Sequence, residues 1–256
     1  CRKNGYEVEF ADTTDLDALK AALKENTRAI YFETPTNPMM HITDIRAVAE
    51  LAHQAGALVI VDNTFMTPYF QNPLKEGADV VVHSGTKYLS GHNDTVCGFL
   101  CSGNQELADR FRLLSKTTGA TLGPFESWLC LRGLKTLALR MERHKSNAEA
   151  VSRWLREQSV VTNVYYAGSG MISFTVTSPE TAVAILKNIR LITFAESLGG
   201  TESLLTYPAV QTHPDVPREQ REKLGITDTL LRLSVGIENP DDIIADLKQA
   251  FENAEK

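Results

Sequence analysis

The chain has 256 residues, which is enough for one large domain or for a large and a small one. Hydrophobic residues make up 43% and charged residues 23%, the proportions of an ordinary folded protein rather than of a disordered, collagen-like or coiled-coil chain. Lys and Arg number 26 against 32 Asp and Glu, so the net charge of −6 argues against a nucleic-acid partner, and no apolar run is long enough to cross a membrane.

The first residues predict a chain that begins inside a strand. The sequence starts at Cys1 without a Met, and Tyr6, Val8 and Phe10 alternate with other residues as they would along a strand. We therefore expect further residues of the natural protein upstream of Cys1.

A capped helix and a short strand are predicted next. Thr13 or Thr14 is suited to cap a helix. Its apolar residues recur at helical spacing and would form one buried stripe: Leu16, Leu19 and Leu23. Residues 29–33 then have the pattern of a short buried strand, which the two prolines within residues 34–38 must end.

Helices and fully apolar strands then alternate. A helix is predicted over residues 44–55, with Ile45, Val48, Ala49 and Ala52 on one face and Gly56 after its end. Strands are predicted over 57–61 and 78–82, with a short helix between them. Strands that are apolar on both faces indicate a mainly parallel sheet covered by helices, so we predict a doubly wound α/β domain.

The pattern changes from about Trp128. Long helical segments are predicted over 128–141 and 148–157, with strands over 171–176 and 230–235 and a closing helix over 241–251. The apolar residues of the first segment are Leu131, Leu134, Leu137 and Met141. We predict a smaller α+β domain over residues 139–256, after a large α/β domain over residues 1–138.

Reactive side chains follow two of the predicted parallel strands. Asp62 directly follows the strand at 57–61. The strand at 78–82 leads to Ser84, Gly85, Thr86 and Lys87. Parallel strands end at the same edge of a sheet, where ligands bind, so Asp62 and Lys87 are expected at one edge. Two hydroxyls around a glycine suit a small anion.

A lysine, a carboxylate and an anion site together fit pyridoxal phosphate (PLP). Its aldehyde needs an amine, its ring nitrogen needs a carboxylate to stay protonated, and its phosphate needs hydrogen-bond donors. Taken alone, Asp62 could merely cap a loop and Lys87 could be an exposed surface residue. The combination at adjacent strand ends is what favours the cofactor.

Other site classes find less support. The glycine-rich motifs of nucleotide-binding proteins and the Gly-x-Ser-x-Gly turn of hydrolases are absent. His83, His92 and His213 do not have the spacing of metal ligands, so no metal site is predicted.

The cysteines do not predict a disulfide framework. Cys97 and Cys101 on one strand would lie ~13 Å apart, beyond bridging distance. With Cys1 and Cys130 they are expected to be buried thiols of a reducing cytosol.

Several segments resemble the Cys/Met-metabolism PLP-dependent, or trans-sulfuration, enzymes, which include cystathionine γ-synthase and cystathionine γ- and β-lyases. The similar segments extend along the whole chain: residues 33–38, 62–65, 83–92, 196–203, 208–213 and 231–236. The resemblance implies PLP fold type I, which is aspartate-aminotransferase-like. Residues 1–138 would then be the C-terminal part of the large PLP-binding domain, with glycine, tyrosine and arginine residues of the family missing upstream and a loop missing between Tyr166 and Ser169.

The resemblance also implies roles for the cofactor-binding residues. Lys87 would bind the cofactor aldehyde covalently and then act as general base and acid. Asp62 would pair with the ring nitrogen, Ser84 and Thr86 would hold the phosphate, and Asn37 would lie near the ring hydroxyl.

Further residues would bind the substrate. Arg232 would hold the substrate carboxylate in a bidentate pair, which suits its planar guanidinium. Ser197 and Thr212 would orient the substrate and Lys87, and Glu196 could bind the distal ammonium of cystathionine.

The function expected from the resemblance is a PLP-dependent carbon–sulfur lyase of sulfur amino-acid metabolism. It would act on cystathionine-like substrates by β- or γ-elimination, and cystathionine γ-synthase is the alternative within the family. A cofactor-free binding or scaffold module of the same fold is the alternative from another class. The family also implies a homotetramer built from two dimers, with an amino acid as substrate. The expected free thiols indicate a cytoplasmic location.

Overall fold

The computed structural model describes residues 2–254, so Cys1 lies outside the described residues. The helices in this range are α1 (Leu16–Ala22), α2 (Ile45–Gln54), α3 (Thr67–Phe70), α4 (Gln105–Thr118), α5 (Pro124–Leu134), α6 (Leu137–Leu155), α7 (Pro179–Asn188), α8 (Arg218–Lys223) and α9 (Pro240–Ala254). The strands are β1 (Ala29–Glu33), β2 (Leu58–Asp62), β3 (Val80–Ser84), β4 (Gly98–Cys101), β5 (Val161–Tyr166), β6 (Met171–Val176), β7 (Thr193–Phe194), β8 (Leu204–Thr206) and β9 (Leu230–Ser234).

The first sheet has the strand order β1-β2-β3-β4. β1, β2 and β3 are parallel, and β4 runs antiparallel to β3 at the edge. The predicted buried face of α2 packs against this sheet, in a core that includes Ile45, Val48, Val59 and Val61. These features confirm the predicted α/β fold with a mainly parallel sheet.

The second sheet has the order β5-β6-β9-β8-β7 and is antiparallel except for the β7–β8 pair. Every residue of β6 and β9 is buried, because these central strands are covered on both faces. Helices α7 and α9 pack together beside this sheet, and α6 contacts both β5–β6 and the turn that contains Lys87. The strand at β6 and the closing helix were predicted with nearly their observed bounds.

Two predictions near the N-terminus are wrong. Tyr6, Val8 and Phe10 form no strand, since no neighbouring strand pairs with them, and Phe10 is 88% exposed. The N-cap of α1 is Asp15 rather than Thr13 or Thr14, because the Asp15 carboxylate accepts hydrogen bonds from the backbone at the first turn.

The helices after residue 100 also differ from the predictions. The segment predicted over 128–141 is broken at 135–136, and the segment at 148–157 is the second half of the continuous helix α6. Leu131 is 62% exposed, so the predicted apolar stripe is not all core. Helix α4 and strand β4 were not predicted, because β4 is a four-residue edge strand and α4 buries no residue.

Three cysteines lie within the described residues, and all have free thiols. Cys130 is buried as expected, but Cys97 is half-buried and Cys101 is exposed because it lies on the edge strand β4. Residues 2–254 include no helix that is both long and apolar enough to cross a membrane. Over the same range, no three His, Cys, Asp or Glu side chains cluster as metal ligands.

Candidate active site

Three parallel strands end side by side at one edge of the first sheet. Glu33 at the end of β1 pairs with Asp62 at the end of β2, and Asp62 pairs with Val82 of β3. β3 ends at Ser84, and a π-type turn over Gly85–Leu89 follows at once. Asp62 and the turn that contains Lys87 therefore lie at the same edge, as predicted.

The turn around Lys87 has an irregular backbone that neighbouring groups hold in place. Lys87 itself has φ −89° and ψ −128°, which are not helical values. Arg140 of α6 donates from Nη1 to Tyr88 O at 2.7 Å and from Nη2 to Leu89 O at 3.4 Å. A Cβ on Gly85 would clash with the Phe99 ring, so the turn packs closely on β4.

The amine of Lys87 points to Ser197, 110 residues away in sequence. Lys87 Nζ donates to Ser197 Oγ at 3.0 Å. Burial and the neighbouring positive charge of Arg232 lower the pKa of Lys87, and the Glu196 carboxylate opposes this shift. A lowered pKa increases the fraction of neutral amine, which is the nucleophilic and basic form.

Ser197 adopts a conformation that two other contacts stabilise. Its φ of +84° is uncommon for a residue other than glycine. Its carbonyl oxygen accepts a hydrogen bond from Arg232 Nη2 at 3.0 Å, and two residues later Gly199 N donates to Ser234 Oγ at 2.8 Å. Strand β9 thus fixes the loop that places the Ser197 hydroxyl beside Lys87.

Arg232 is a buried cation in the middle of β9, only 2% exposed. Besides Ser197 O, its guanidinium donates to Asn37 Oδ1 at 2.8 Å and to Thr206 Oγ1 at 3.1 Å. Its Nε has no hydrogen-bond partner among the described residues. Burial lowers the pKa of Arg232 to about 10, while Tyr88, Glu196 and Glu33 oppose the shift. An incoming carboxylate would compensate this buried charge.

Asp62 accepts two hydrogen bonds. Tyr31 donates from its hydroxyl to Oδ2 at 3.1 Å, and Thr64 N donates to Oδ1 at 2.9 Å. Burial, followed by the charge of Asp62, raises the pKa of Tyr31, so Tyr31 stays a neutral donor. These bonds orient the Asp62 carboxylate at the end of its strand.

The two predicted phosphate-binding residues lie on either side of Gly85. Ser84 N donates to Thr64 Oγ1 at 2.9 Å. Thr86 Oγ1 accepts from Cys97 N at 3.0 Å and donates to Cys97 O at 3.3 Å. Within residues 2–254 the Ser84 side chain makes no hydrogen bond, whereas the Thr86 hydroxyl contacts the segment that leads into β4.

Asn37 connects the loop after β1 to the second sheet. Its backbone N donates to Glu33 Oε1 at 2.7 Å, and its side-chain oxygen accepts from Arg232. Ser173 Oγ of β6 donates to Pro38 O at 2.6 Å, which joins the same loop to the second sheet.

Two of the predicted substrate-binding residues are placed differently from the rest. Glu196 is exposed and acts on Lys87 and Arg232 through its charge. Thr212 Oγ1 contacts Pro208 O and His213 Nδ1 in its own loop. The contacts found within residues 2–254 do not join Thr212 to Lys87 or Ser197.

An open cavity of about 790 Å³ reaches two of the predicted site residues, Thr86 and Ser197. Thr86 and Ser197 form one end of its lining, and the rest comes from the loop at 93–96 and the segment 121–126. Its volume lies within the range of small-molecule sites, ~300–1,000 Å³. A lysine with a lowered pKa is joined through Ser197 to a buried guanidinium, and a carboxylate ends the neighbouring strand. Such a group can bind and deprotonate an amino acid.

Several residues that complete the site had no predicted role. Glu33 was noted only as part of a motif. Its place at the end of a predicted strand, like that of Asp62, could have indicated that it belongs to the site. Tyr31, Thr206 and Arg140 left no signal, because a hydroxyl or a guanidinium in a strand or helix has no pattern that reveals its partner.

Comparisons with known proteins show which proteins this chain is similar to. Residues 1–252 match the model of a family described as Cys/Met metabolism PLP-dependent enzyme. Cystathionine γ-synthase of Haemophilus influenzae is 51% identical over 98% of this chain and 68% of that protein. Cystathionine γ-lyase of Bacillus subtilis is 47% identical over 97% of this chain and 70% of that protein. The solved structure of cystathionine γ-lyase from Lactobacillus plantarum complexed with L-serine has a TM-score of 0.93 at 43% identity, covering 95% of this chain and 68% of that one.

Proposed function

Because the chain belongs to the Cys/Met metabolism PLP-dependent enzyme family, we propose that it is a carbon–sulfur lyase of sulfur amino-acid metabolism that acts on cystathionine-like substrates. The observation that supports this most is the hydrogen-bonded row from Lys87 through Ser197 to Arg232. It joins an amine of lowered pKa to a buried cation, and the turn that carries this amine follows β3, the neighbour of the strand that ends in Asp62.

The residues of the site fit pyridoxal 5'-phosphate. Arg232 is a buried guanidinium whose Nε has no hydrogen-bond partner in the part of the chain that the structure describes, which suits a site completed by an anionic ligand. The half-buried Lys87 amine and the Asp62 carboxylate are the two groups that the aldehyde and the ring nitrogen need. Ser84, Thr86 and Asn37 would complete the cofactor site at the phosphate and the ring hydroxyl.

When bound, the cofactor supplies an electron-withdrawing ring that stabilises negative charge at the substrate Cα. Asp62 would keep a proton on the ring nitrogen, and Tyr31 and Thr64 N would hold the Asp62 carboxylate in place. Lys87 Nζ would take the proton from the substrate Cα and return one to the product. Ser197 Oγ, which accepts a hydrogen bond from that amine, would orient it for the transfer.

The α-carboxylate of the substrate would bind Arg232. Its planar guanidinium is held by Asn37, Ser197 O and Thr206, so little side-chain freedom is lost when the substrate arrives. Thr212 would reach the substrate only if the loop at 208–213 moves towards the cavity.

Glu196 supports a substrate with a distal ammonium group, such as cystathionine. It is exposed and close enough to Lys87 and Arg232 to influence both pKa values. Cystathionine γ-synthase activity is the second candidate, supported by the 51% identity to a protein of that name. Assays of cystathionine breakdown, and of its synthesis from cysteine and an activated homoserine, distinguish the two.

The covalent role of Lys87 is tested by the visible spectrum of the protein with added PLP. Lys87→Ala should lose the absorption of a lysine-bound cofactor, while the exposed control Lys75→Ala should keep it. Survival of that absorption in Lys87→Ala would refute the assignment. A wild-type protein that shows no such absorption would instead support the cofactor-free scaffold, against which the buried Arg232 argues.

We further propose a homotetramer, a cytoplasmic location and a domain boundary at residues 138/139. Exposed apolar side chains on α4 and α5, including Leu113, Phe125, Trp128 and Leu131, suit a subunit interface. The free thiols suit a reducing compartment. Sedimentation velocity measures the subunit number, and limited proteolysis tests the boundary.

A further inference from the structure

Glu33 is a carboxylic acid inside the site for which the proposed reaction has no use. It ends β1, directly beside Asp62 in the parallel register, and it is half-buried. Its Oε1 accepts a hydrogen bond from Asn37 N at 2.7 Å. A carboxyl group at this position would be costly to bury without a purpose or a partner.

The partner of Glu33 leads directly to the substrate-binding cation. Asn37, whose backbone Glu33 holds, accepts from Arg232 Nη1 at 2.8 Å through its side-chain oxygen. The route from Glu33 to Arg232 thus consists of two short hydrogen bonds that share one residue. It connects the first sheet with β9 of the second sheet across 195 residues of sequence.

We propose that Glu33 is a positioning residue that fixes the Arg232 guanidinium for the substrate carboxylate by holding the backbone of Asn37. This inference rests on the proposed function, because it takes Arg232 as the carboxylate-binding residue. Glu33 would not touch the substrate, and it would act mainly through the hydrogen bond from Asn37 N.

The hydrogen bond from Asn37 N needs only an acceptor oxygen on residue 33, whether or not Glu33 is charged. Burial and the negative charge of Asp62 raise the pKa of Glu33 to about 7, while Asn37 N–H and the positive charge of Arg232 oppose the rise. Near neutral pH a large share of Glu33 is therefore uncharged, and its carbonyl oxygen still accepts from Asn37 N. A glutamine has the same carbonyl oxygen and is the appropriate conservative replacement.

Three variants test the proposal: Glu33→Met, which keeps the volume without an acceptor, Glu33→Gln, which keeps the acceptor, and Glu50→Gln as an exposed control on α2. The first measurement is the affinity of the PLP-loaded protein for propionate, a carboxylate without an amino group, by titration calorimetry. The second is the change of KM and of kcat for cystathionine. Thermal unfolding verifies that each variant is folded.

Glu33→Met should weaken propionate binding and raise KM by about fivefold to thirtyfold, the effect of one hydrogen bond in a charged network. The kcat of Glu33→Met should change by less than about threefold. In Glu33→Gln the propionate affinity and KM should both stay within about threefold of the wild type. An unchanged propionate affinity in Glu33→Met would overturn the proposal. A tenfold loss of propionate affinity in Glu33→Gln would also overturn it, and this result can be obtained even if Glu33→Met does not fold.

Arg232→Lys separates this inference from the proposed function. If Arg232→Lys weakens propionate binding and Glu33→Met does not, only the role of Glu33 is wrong. If Arg232→Lys leaves propionate binding unchanged, the carboxylate site of the proposed function is itself wrong.

Discussion

Replacing Arg140 should loosen the turn that carries Lys87. Arg140 lies on α6 and is 4% exposed, and its guanidinium donates to the carbonyl oxygens of Tyr88, Leu89 and Gly133. Gly133 O also accepts from Thr136, so it keeps a partner without Arg140. The variant Arg140→Met would leave the carbonyl oxygens of Tyr88 and Leu89 buried without this donor.

The size of the effect follows from these two oxygens. A buried carbonyl that loses its donor costs about 1–3 kcal/mol, so Arg140→Met should lower the free energy of unfolding by about 2–6 kcal/mol. For a chain of this length each kcal/mol corresponds to roughly 2–4 °C, which gives a decrease in Tm on the order of 10 °C. The occupancy of Lys87 by added PLP should fall as well, because Tyr88 and Leu89 follow Lys87 directly.

Thermal unfolding followed by circular dichroism measures the first effect, and the visible spectrum with added PLP measures the second. Arg153→Met is the matched control, since Arg153 is exposed on the same helix and should change stability by less than about 0.5 kcal/mol. A Tm for Arg140→Met within 2 °C of the wild type would show, as an order-of-magnitude criterion, that the buried guanidinium does not support the turn.

Three further results are expected. Gly133→Ala should destabilise the protein, since its Cβ would clash with the backbone oxygen of Ser90, whereas Gly103→Ala has open space around it; thermal unfolding compares the two. Arg232→Lys should raise KM for cystathionine about 10–100-fold with PLP still bound, because a lysine cannot reproduce the planar set of donors; steady-state kinetics and the visible spectrum measure this. Burial lowers the pKa of His144 to about 4, below the ordinary value near 6.5. The neutral, buried His144 therefore stabilises the folded state fully above pH ~6.5, and this contribution of up to about 3 kcal/mol is lost as the pH falls towards 4. Urea unfolding of the wild type should show the free energy of unfolding decrease over this range. His144→Gln should lack that decrease.

Much of the first sheet could be predicted because its signals are local. The apolar strands and the buried stripe of α2 follow from side-chain periodicity, and that helix begins directly after Asp44, within one residue of its predicted start. Once β2 and β3 are parallel, their ends must meet at one edge, which brings Asp62 and Lys87 there. The family motifs lie at these same positions.

The contacts that complete the site could not be predicted from local patterns. The Lys87–Ser197 and Asn37–Arg232 hydrogen bonds join residues 110 and 195 positions apart. They exist because the segments that follow β1 and β3 meet strand β9 and the loop that holds Ser197. No periodicity within a segment reports such a contact between distant parts of the chain.

The sequence by itself therefore determined which chemical groups this protein carries and which strands present them. The tertiary structure alone decided which groups contact each other. Examples are the hydrogen bond between Asn37 N and Glu33 and the hydrogen bond from Arg140 to the Lys87 turn. The physical reason is that a polar side chain in a strand or helix looks the same in sequence whether water or a buried carbonyl oxygen satisfies it. Only the folded arrangement supplies the partner.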